Sequence, residues 1–414
     1  MRTCVVGGGV VGVTTAYFLA REGHEVIILE AQESVSRGTS FSNGAQLSYS
    51  YVAPLADPSV LPHLPAWLVQ KDSALRFVPR LDPQQWLWCL SFLLACRASV
   101  SRQTAIELLQ LGALSKAAVH ALIEKEAIAF DYERNGKLVL YRDKHAFAQA
   151  RRTMEYLGAA GASQKALDPD ECVALEPSLK HAYPLLAGGI HTPSEEVGDC
   201  FLFTEALARV LQDRYGVVIH CNTPVKSWVR ENNQVVAACS SAGDVTADAY
   251  IVASGLGSRS LLASLNISLP LYPLTGYSLT MAAQPAQSPR VSVTDLHRKV
   301  VYAPLGVRIR IAGMVEITGA DESQSKERLA CLTRHAQEIF PQAGDYTHAE
   351  TWCGHRPATP NSKPIISATP YRNLWLNTGH GALGFTLACG SAQLIAQAVQ
   401  GQPPSLNLNP YQLR

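Results

Sequence analysis

The chain has 414 residues, 47% of them hydrophobic and 17% charged, long enough for two domains sharing a large core and too apolar to be mainly disordered. Its 35 Lys and Arg against 34 Asp and Glu leave a formal charge of +1 with no long run of either sign, which argues against a nucleic-acid partner. Ten cysteines lie scattered through apolar stretches, with no C-x-x-C pair and no His at zinc-ligand spacing, so reduced, mostly buried thiols in a cytosol-facing protein are expected, with no metal site.

Residues 1–56 read as strand, glycine turn, helix and strand. An apolar run at TCVV leads into a helical pattern from Val11 to Glu22, and a second strand-like run from Glu25 to Leu29 ends at Glu30. Gly7, Gly9 and Gly12 fit G-x-G-x-x-G at the turn: they allow a tight bend, close approach of backbone to a pyrophosphate, and packing of the helix on the strand. Glu30 follows Gly7 by 23 residues, where a carboxylate accepts hydrogen bonds from a ribose diol and repels a 2′-phosphate. An unphosphorylated adenine dinucleotide is the expected ligand. Cleavage of a leader would destroy this motif, so an uncleaved N-terminus is expected. The polar loop that follows, ESVSRGTSFSNGAQLS, offers Arg37, Thr39, Ser40, Asn43 and Gln46, with Gly44 and Ala45 between them, as hydrogen-bonding surroundings for pyrophosphate and flavin ring.

From Leu61 to Lys165 the pattern is mainly helical and predicts a separate lobe. Trp86 to Cys96, WLWCLSFLLAC, is the most hydrophobic window; as a helix it spans only about 16 Å against a hydrocarbon core of about 30 Å. It is either a buried core helix or, with Arg97 and Arg102 after it and Trp67, Trp86 and Trp88 around it, an interfacial segment on an anionic leaflet. Residues 188–262 resume alternation, with a helix Leu202 to Tyr215, a strand VVIHC, a hairpin around Glu231 to Gln234 and a strand ending at Gly255, as a nucleotide-binding sheet would. Residues 266–345 hold β-rich segments, Tyr277 to Met281 and Val300 to Val315, then a helix near Ser325 to Phe340. The tail carries a strand LWLNT, the cluster Gly379 to Thr386, and a helix from Thr386 to Gln400. The expected fold is mixed α/β: a Rossmann-like FAD-binding domain from 1–56, 188–262 and 350–414, and a discontinuous sheet-plus-helices substrate domain from 57–187 and 263–349.

Gly381, Ala382, Leu383, Gly384 and Thr386 form a second glycine-rich helix start, whose N–H groups suit an electron-rich acceptor; two such starts at opposite ends of the chain fit FAD better than NAD. The words VVGGGVVGVTTAYFLAREGHEVIILE, GTSFSNGAQLS, GYSLT, GHRPATPNSKPII and NLWLNTGHGALGFTLACGS, spread over nearly the whole chain, resemble the FAD-dependent amine oxidoreductases of the D-amino acid oxidase superfamily, most closely the bacterial D-amino acid dehydrogenase small-subunit group. The resemblance implies Gly9, Val10, Val11 and Glu30 near adenosine and pyrophosphate, Val225 at the adenine edge, Ala253, Ser254 and Gly255 as the Ala-Thr-Gly element, Gly354 beside the cofactor, and Gly381 to Thr386 at the flavin. Ser254 replaces the usual Thr, His355 stands where Leu or Phe is common, and Asn361 replaces the usual Asp.

Oxidising an amino acid by flavin requires its carboxylate to be clamped, and an arginine fork offers two parallel donors. Arg356 is the expected clamp. Tyr277, Tyr302 and Tyr51 are candidate phenolic partners or caps, and His355 a candidate for tuning substrate preference. The resemblance implies oxidative deamination of D-amino acids to 2-oxo acids and ammonia through an imine, with electrons passed to a quinone or another acceptor. Peripheral contact with the cytoplasmic side of a membrane through residues 86–96 is the matching expectation. Two alternatives stay open: a D-proline or 4-hydroxy-D-proline dehydrogenase giving a cyclic imine, and an FAD-binding subunit of a larger amine-oxidising complex without independent turnover.

Overall fold

The computed structural model describes residues 1–52, 54–63, 73–158, 163–319 and 325–413; Trp67, one of the aromatic residues of the expected interfacial segment, lies outside them. Among the described residues the chain builds two large sheets. The first has six strands in the spatial order Ile365–Ala368, Leu374–Thr378, Ala249–Val252, Arg2–Val6, Glu25–Leu29 and Val218–His220, all parallel except Ile365–Ala368. Its strands are short and, apart from the edge strand Val218–His220, apolar and buried, as a parallel sheet covered on both faces demands. Val5, Ile28 and Ile251 face the helices Val10–Arg21, Cys200–Tyr215 and Gly384–Val399, while Cys4, Val6, Ile27 and Leu29 pack beneath a three-stranded antiparallel sheet that begins with Val225–Glu231 and Gln234–Ser240. The turn of that hairpin is made by Asn232 and Asn233, both at positive φ, in the residue type that tolerates it. Val6 pairs with both Leu29 and Val252, so the Gly7 turn opens at the carboxyl ends of neighbouring strands, where α/β sheets bind ligands.

The second sheet has nine strands. Tyr272–Ala282 lies between Glu350–Ala358 and Arg308–Ile317, and the order continues through Val300–Leu305, Ser292–Asp295, Lys137–Tyr141, Gly188–Thr192 and Lys165–Leu167, with Leu75–Phe77 on the far end of Arg308–Ile317. The helix Lys326–Ile339, capped by Ser325, covers one face and buries Cys331, Leu332, Ala336 and Ile339 against Leu279, Met281, Val300 and Ile311.

Four segments differ from what the sequence pattern suggests. Lys137–Tyr141 is a strand inside the stretch that reads as helical, and Gly188–Thr192 and Glu350–Ala358 belong to the second sheet although they fall in segments expected to build the dinucleotide domain. The long helix Ala98–Glu126, expected in the separate lobe, places Leu108, Leu111, Val119 and Leu122 in the core beside the six-stranded sheet. It crosses Gly384–Val399 at Gly390, whose backbone N–H donates to Ser115 Oγ at 3.1 Å. A Cβ on Gly390 would stand 3.0 Å from the Leu111 carbonyl oxygen and 2.9 Å from Ser115 Cβ. Gly390→Val is expected to force the two helices apart at a cost of about 1–3 kcal/mol, read as a fall of several degrees in the thermal unfolding midpoint; an unchanged midpoint would show that the crossing has slack.

Candidate functional site

A cavity of about 1300 Å³ runs between the carboxyl edge of the six-stranded sheet and one face of the nine-stranded sheet. It exceeds the pockets of about 300–1,000 Å³ that hold a single small molecule, which leaves room for a dinucleotide and a substrate together.

One end is built by the first glycine turn. Gly7, at φ +113°, has no space for a side chain: a Cβ would meet the Ala253 carbonyl oxygen at 2.7 Å. A Cβ on Gly12 would lie 1.8 Å from the Gly7 carbonyl oxygen, so Gly12 closes helix on strand and does not itself line the cavity. Gly9 is the N-cap of the helix Val10–Arg21 without a side-chain cap bond, and there is no acidic residue in the first turn. Those N–H groups, the dipole behind them and the lining residues Gly7, Gly9, Val10 and Val11 fit a pyrophosphate. Glu30 accepts from the Gly8 and Gln32 N–H groups, which fixes its carboxylate at the cavity wall beside Val225. Ala253, Ser254 and Gly255 complete this end; Ser254 Oγ pairs with Ser258 Oγ at 3.2 Å, a contact that needs only a hydroxyl.

The loop after Glu30 joins both sheets. Ser40 Oγ accepts from Val10 N–H at 3.1 Å, Thr39 Oγ1 donates to the His355 carbonyl at 2.7 Å, Ser42 and Ser278 share a hydroxyl bond at 3.0 Å, and Asn43 Oδ1 accepts from Ala45 N–H at 2.9 Å. Ala45 is held at φ +56° by that Asn43 bond. Thr39, Ser40, Asn43, Gly44, Ala45 and Gln46 all line the cavity. Arg37 lines it too, with its guanidinium donating to Ser34 and seated over the rings of Phe41 and Phe201.

At the opposite end Gly381, Ala382, Leu383, Gly384 and Thr386 form the wall where the helix Gly384–Val399 begins, again without a side-chain cap bond. Thr386 Oγ1 accepts from Ser48 N–H at 3.2 Å and donates to the Gln46 carbonyl at 3.3 Å, tying this helix start to the loop. His380 is buried with its Nε2 on Ser391 Oγ at 2.9 Å, and burial pushes its imidazole down to about 3, so it is neutral and structural. Two glycine-rich helix N-termini facing one long cavity, with a carboxylate at one end, suit FAD.

Arg356 lies between the two ends. Its strand pairs Leu274 with Arg356 and Gly276 with Gly354, which lays the guanidinium across Gly276; a Cβ there would stand 2.4 Å from Nη2. Arg356 Nη1 donates to the Met314 carbonyl at 3.2 Å. Met314 holds φ +63° next to an irregularity in the pairing of Tyr272–Ala282 with Arg308–Ile317, a left-handed conformation that costs energy and aims that carbonyl at the fork. Among the described residues no carboxylate pairs with Arg356, and burial lowers its guanidinium from the ordinary value while leaving it charged. His355 turns Nδ1 to Thr275 Oγ1 at 3.0 Å and lines the cavity beside it.

The tyrosines divide. Tyr51 lines the cavity, and burial pushes its phenol up to about 12, so it remains a donor. Tyr277 also borders the cavity, but its hydroxyl is spent elsewhere: it donates to Glu316 Oε2 at 2.7 Å, and burial followed by that bond raises its pKa. Tyr302 is fully buried, edge-on to Phe340, with its hydroxyl on the carbonyls of His335 and Ala336. Both hydroxyls are committed elsewhere; Tyr302 does not line the cavity and is corrected to a packing residue of the substrate sheet, whereas Tyr277 belongs to the cavity lining with its hydroxyl tied to Glu316. Gly354 also has a packing reason, because a Cβ would lie 2.0 Å from the Trp352 ring. Sequence reasoning missed Gly276, Met314 and Lys137. The GYSLT word holds the first, and a lone lysine heading the apolar run LVLY was the only mark of the last.

Comparison with known proteins agrees with this geometry. The family model described as DAO, FAD dependent oxidoreductase, matches residues 2–398. The chain is 46% identical over 410 residues to "D-amino acid dehydrogenase 2" of Pseudomonas aeruginosa, covering 98% of this chain and 96% of that one. It is 42% identical over 423 residues to the protein of the same name from Ralstonia nicotianae, covering both chains fully. Among solved structures, glycine oxidase from Geobacillus kaustophilus superposes with a TM-score of 0.77 at 22% identity over 100% of this chain and 98% of that one. L-proline dehydrogenase from P. horikoshii gives 0.77 at 18% over 100% and 96%, and both likenesses speak for the fold. The glycine turns, the shared cavity and a match over almost the entire length thus place the chain in the DAO family of FAD-dependent oxidoreductases.

Proposed function

We propose that the protein is an FAD-dependent D-amino acid dehydrogenase. The observation that carries this reading is the Arg356 fork, charged, set in the wall of the FAD cavity and, among the described residues, without a carboxylate of its own. A charge taken out of water is costly unless matched, so the site is completed by a ligand that brings an anion. The names of the relatives at 46% and 42% identity support an amino acid as that ligand.

When bound, FAD accepts the hydride from the substrate α-carbon. The chain's own part is orientation: Arg356 holds the carboxylate by two parallel donors, Gly276 leaves the space for the fork, and the Met314 carbonyl fixes its plane. With the amine deprotonated, its lone pair assists departure of hydride; the imine formed then takes up water to give a 2-oxo acid and ammonia, and a cyclic substrate would leave a cyclic imine. Anaerobic bleaching of the flavin by D- but not L-amino acids is the direct test, D-proline included. Bleaching by neither enantiomer sinks the reading.

The surface supports an acceptor held in a membrane. The helix Pro83–Ala95 buries Trp88 and Phe92, stacked at 5.3 Å, with Trp88 Nε1 donating to the Ala358 carbonyl. Its other side exposes Trp86, Leu87, Leu90, Leu93 and Leu94, and Leu81 before it is fully exposed. At about 20 Å this helix is too short to span a bilayer but long enough to lie on one, between exposed Arg80 and Arg97. The helices Ala98–Glu126 and Gly381–Val399 are long and apolar enough to cross a membrane, yet both contribute to the protein core. This supports peripheral attachment to an anionic membrane, where a lipid-soluble quinone would take the electrons.

Three outcomes check these assignments. Arg356→Lys keeps a charge but loses the planar fork and should raise KM more than tenfold with a smaller change in kcat; near-wild-type steady-state kinetics would sink the clamp. Gly276→Ala should push the guanidinium aside and raise KM in the same way while the FAD absorbance per chain is retained. Replacing Leu87, Leu90 and Leu94 together by Gln should abolish co-sedimentation with vesicles containing anionic lipid and leave turnover with a soluble dye intact; sedimentation equal to that of the unaltered protein refutes the membrane contact.

A further inference from the structure

Lys137 heads the strand Lys137–Tyr141 and is only 2% exposed, yet it belongs to the wall of the FAD cavity. Its ammonium donates to Gln46 Oε1 and to Ser48 Oγ, both at 2.9 Å, and sits 4.2 Å from the centre of the Tyr51 ring. The neutral oxygens and the ring face do not cancel its charge. Behind it lies Glu195, 1% exposed, with Oε1 accepting from Ser50 N–H at 2.7 Å and Oε2 without a hydrogen-bond partner. Nothing in the carboxylate-clamping role of Arg356 requires this lysine, and burying an ammonium is expensive.

The contacts run toward the cofactor. Gln46, which accepts one bond from Lys137, passes its own amide N–H to Ser292 Oγ at 2.6 Å, while its carbonyl and the Ser48 N–H both meet Thr386 Oγ1. Lys137 therefore holds, from the substrate sheet, the two loop residues that are bonded to the second glycine-rich helix start. That end of the cavity is opposite Glu30 and Val225. Among the described residues Glu30 is the only carboxylate lining the cavity, so no acidic side chain in the wall offsets a cation at the Thr386 end. Burial lowers the ammonium to about 8, and the charge of Glu195 works against that fall. Glu195 itself is raised by burial and lowered by Lys137, as expected of a pair that shares a dry site.

We infer that Lys137 is a positioning residue that fixes Gln46 and Ser48 against the flavin end of the cavity and supplies there a standing positive charge that favours the reduced, more negative cofactor. The inference rests on FAD binding alone and is independent of which amine is oxidised. Two neutral replacements test it in the FAD-loaded protein: Lys137→Met, which removes charge and hydrogen bonds, and Lys137→Gln, which keeps a hydrogen-bonding side chain without the charge. Both should hold FAD and bind sulfite, which forms an anionic adduct with flavin, at least tenfold more weakly. Both should also lower the two-electron midpoint potential by about 30 mV or more, the equivalent of a tenfold change. Sulfite affinity and potential equal to those of the unaltered protein overturn the inference, as does a shift in the Met variant that the Gln variant lacks, which would leave only a hydrogen-bonding role. If neither variant retains FAD, Lys137 is a structural tie and the charge assignment falls.

Discussion

The structure is organised around positive charge held where water is scarce and where no carboxylate among the described residues pairs with it. Arg356 faces the cavity with one carbonyl as its acceptor, and Met314 adopts a left-handed backbone conformation to offer that carbonyl. An arginine in a packed protein normally finds a carboxylate, as Arg328 does with Glu316 at 3.0 Å on the other side of the same sheet. The contrast is physical: the pair at Arg328 is complete and buries itself, whereas the Arg356 fork has donors left over and an opening in front of them. Stability is given up locally for an anion that arrives from solution.

Two sheets with separate cores have to agree on the position of that fork to within a fraction of an ångström relative to the cofactor. The agreement is made by a loop that has little apolar content of its own. Through Ser40 it is tied to the first helix start, through Thr39 to the strand of Arg356, through Ser42 to Ser278, and through Gln46 and Ser48 to Lys137 and Thr386. Its polarity, which in the sequence looks like that of a solvated linker, is the property that lets it bond to both sheets while leaving backbone and hydroxyl groups for the cofactor. A hydrophobic loop would have packed against one core or the other and left the second sheet unregistered.

Features governed by close contact were legible in the sequence, and those governed by the phase of a strand were not. Gly7 and Gly12 admit no Cβ, so their spacing alone announces the turn, and Glu30 follows at a distance fixed by one helix and one strand. The segments Gly188–Thr192 and Glu350–Ala358 were assigned to the wrong sheet because an apolar strand looks the same in either. Lys137 escaped notice since its partners Gln46, Ser48 and Glu195 lie 50 or more residues away in either direction.

The two tyrosines show how little separates a site residue from a core residue in such a sheet. Side chains alternate between faces along a strand, so a shift of one position exchanges cavity for core. Gly276 and Val301 line the cavity; Tyr302, the successor of Val301, lies in the core behind it, and Tyr277, though it still borders the cavity, packs in that core and turns its hydroxyl to Glu316. Residue type favoured the tyrosines as ligands, since a phenol can donate to a carboxylate. The pleat decides otherwise, and it gives the inward position beside Arg356 to a glycine, whose contribution to the site is the volume it leaves to the guanidinium.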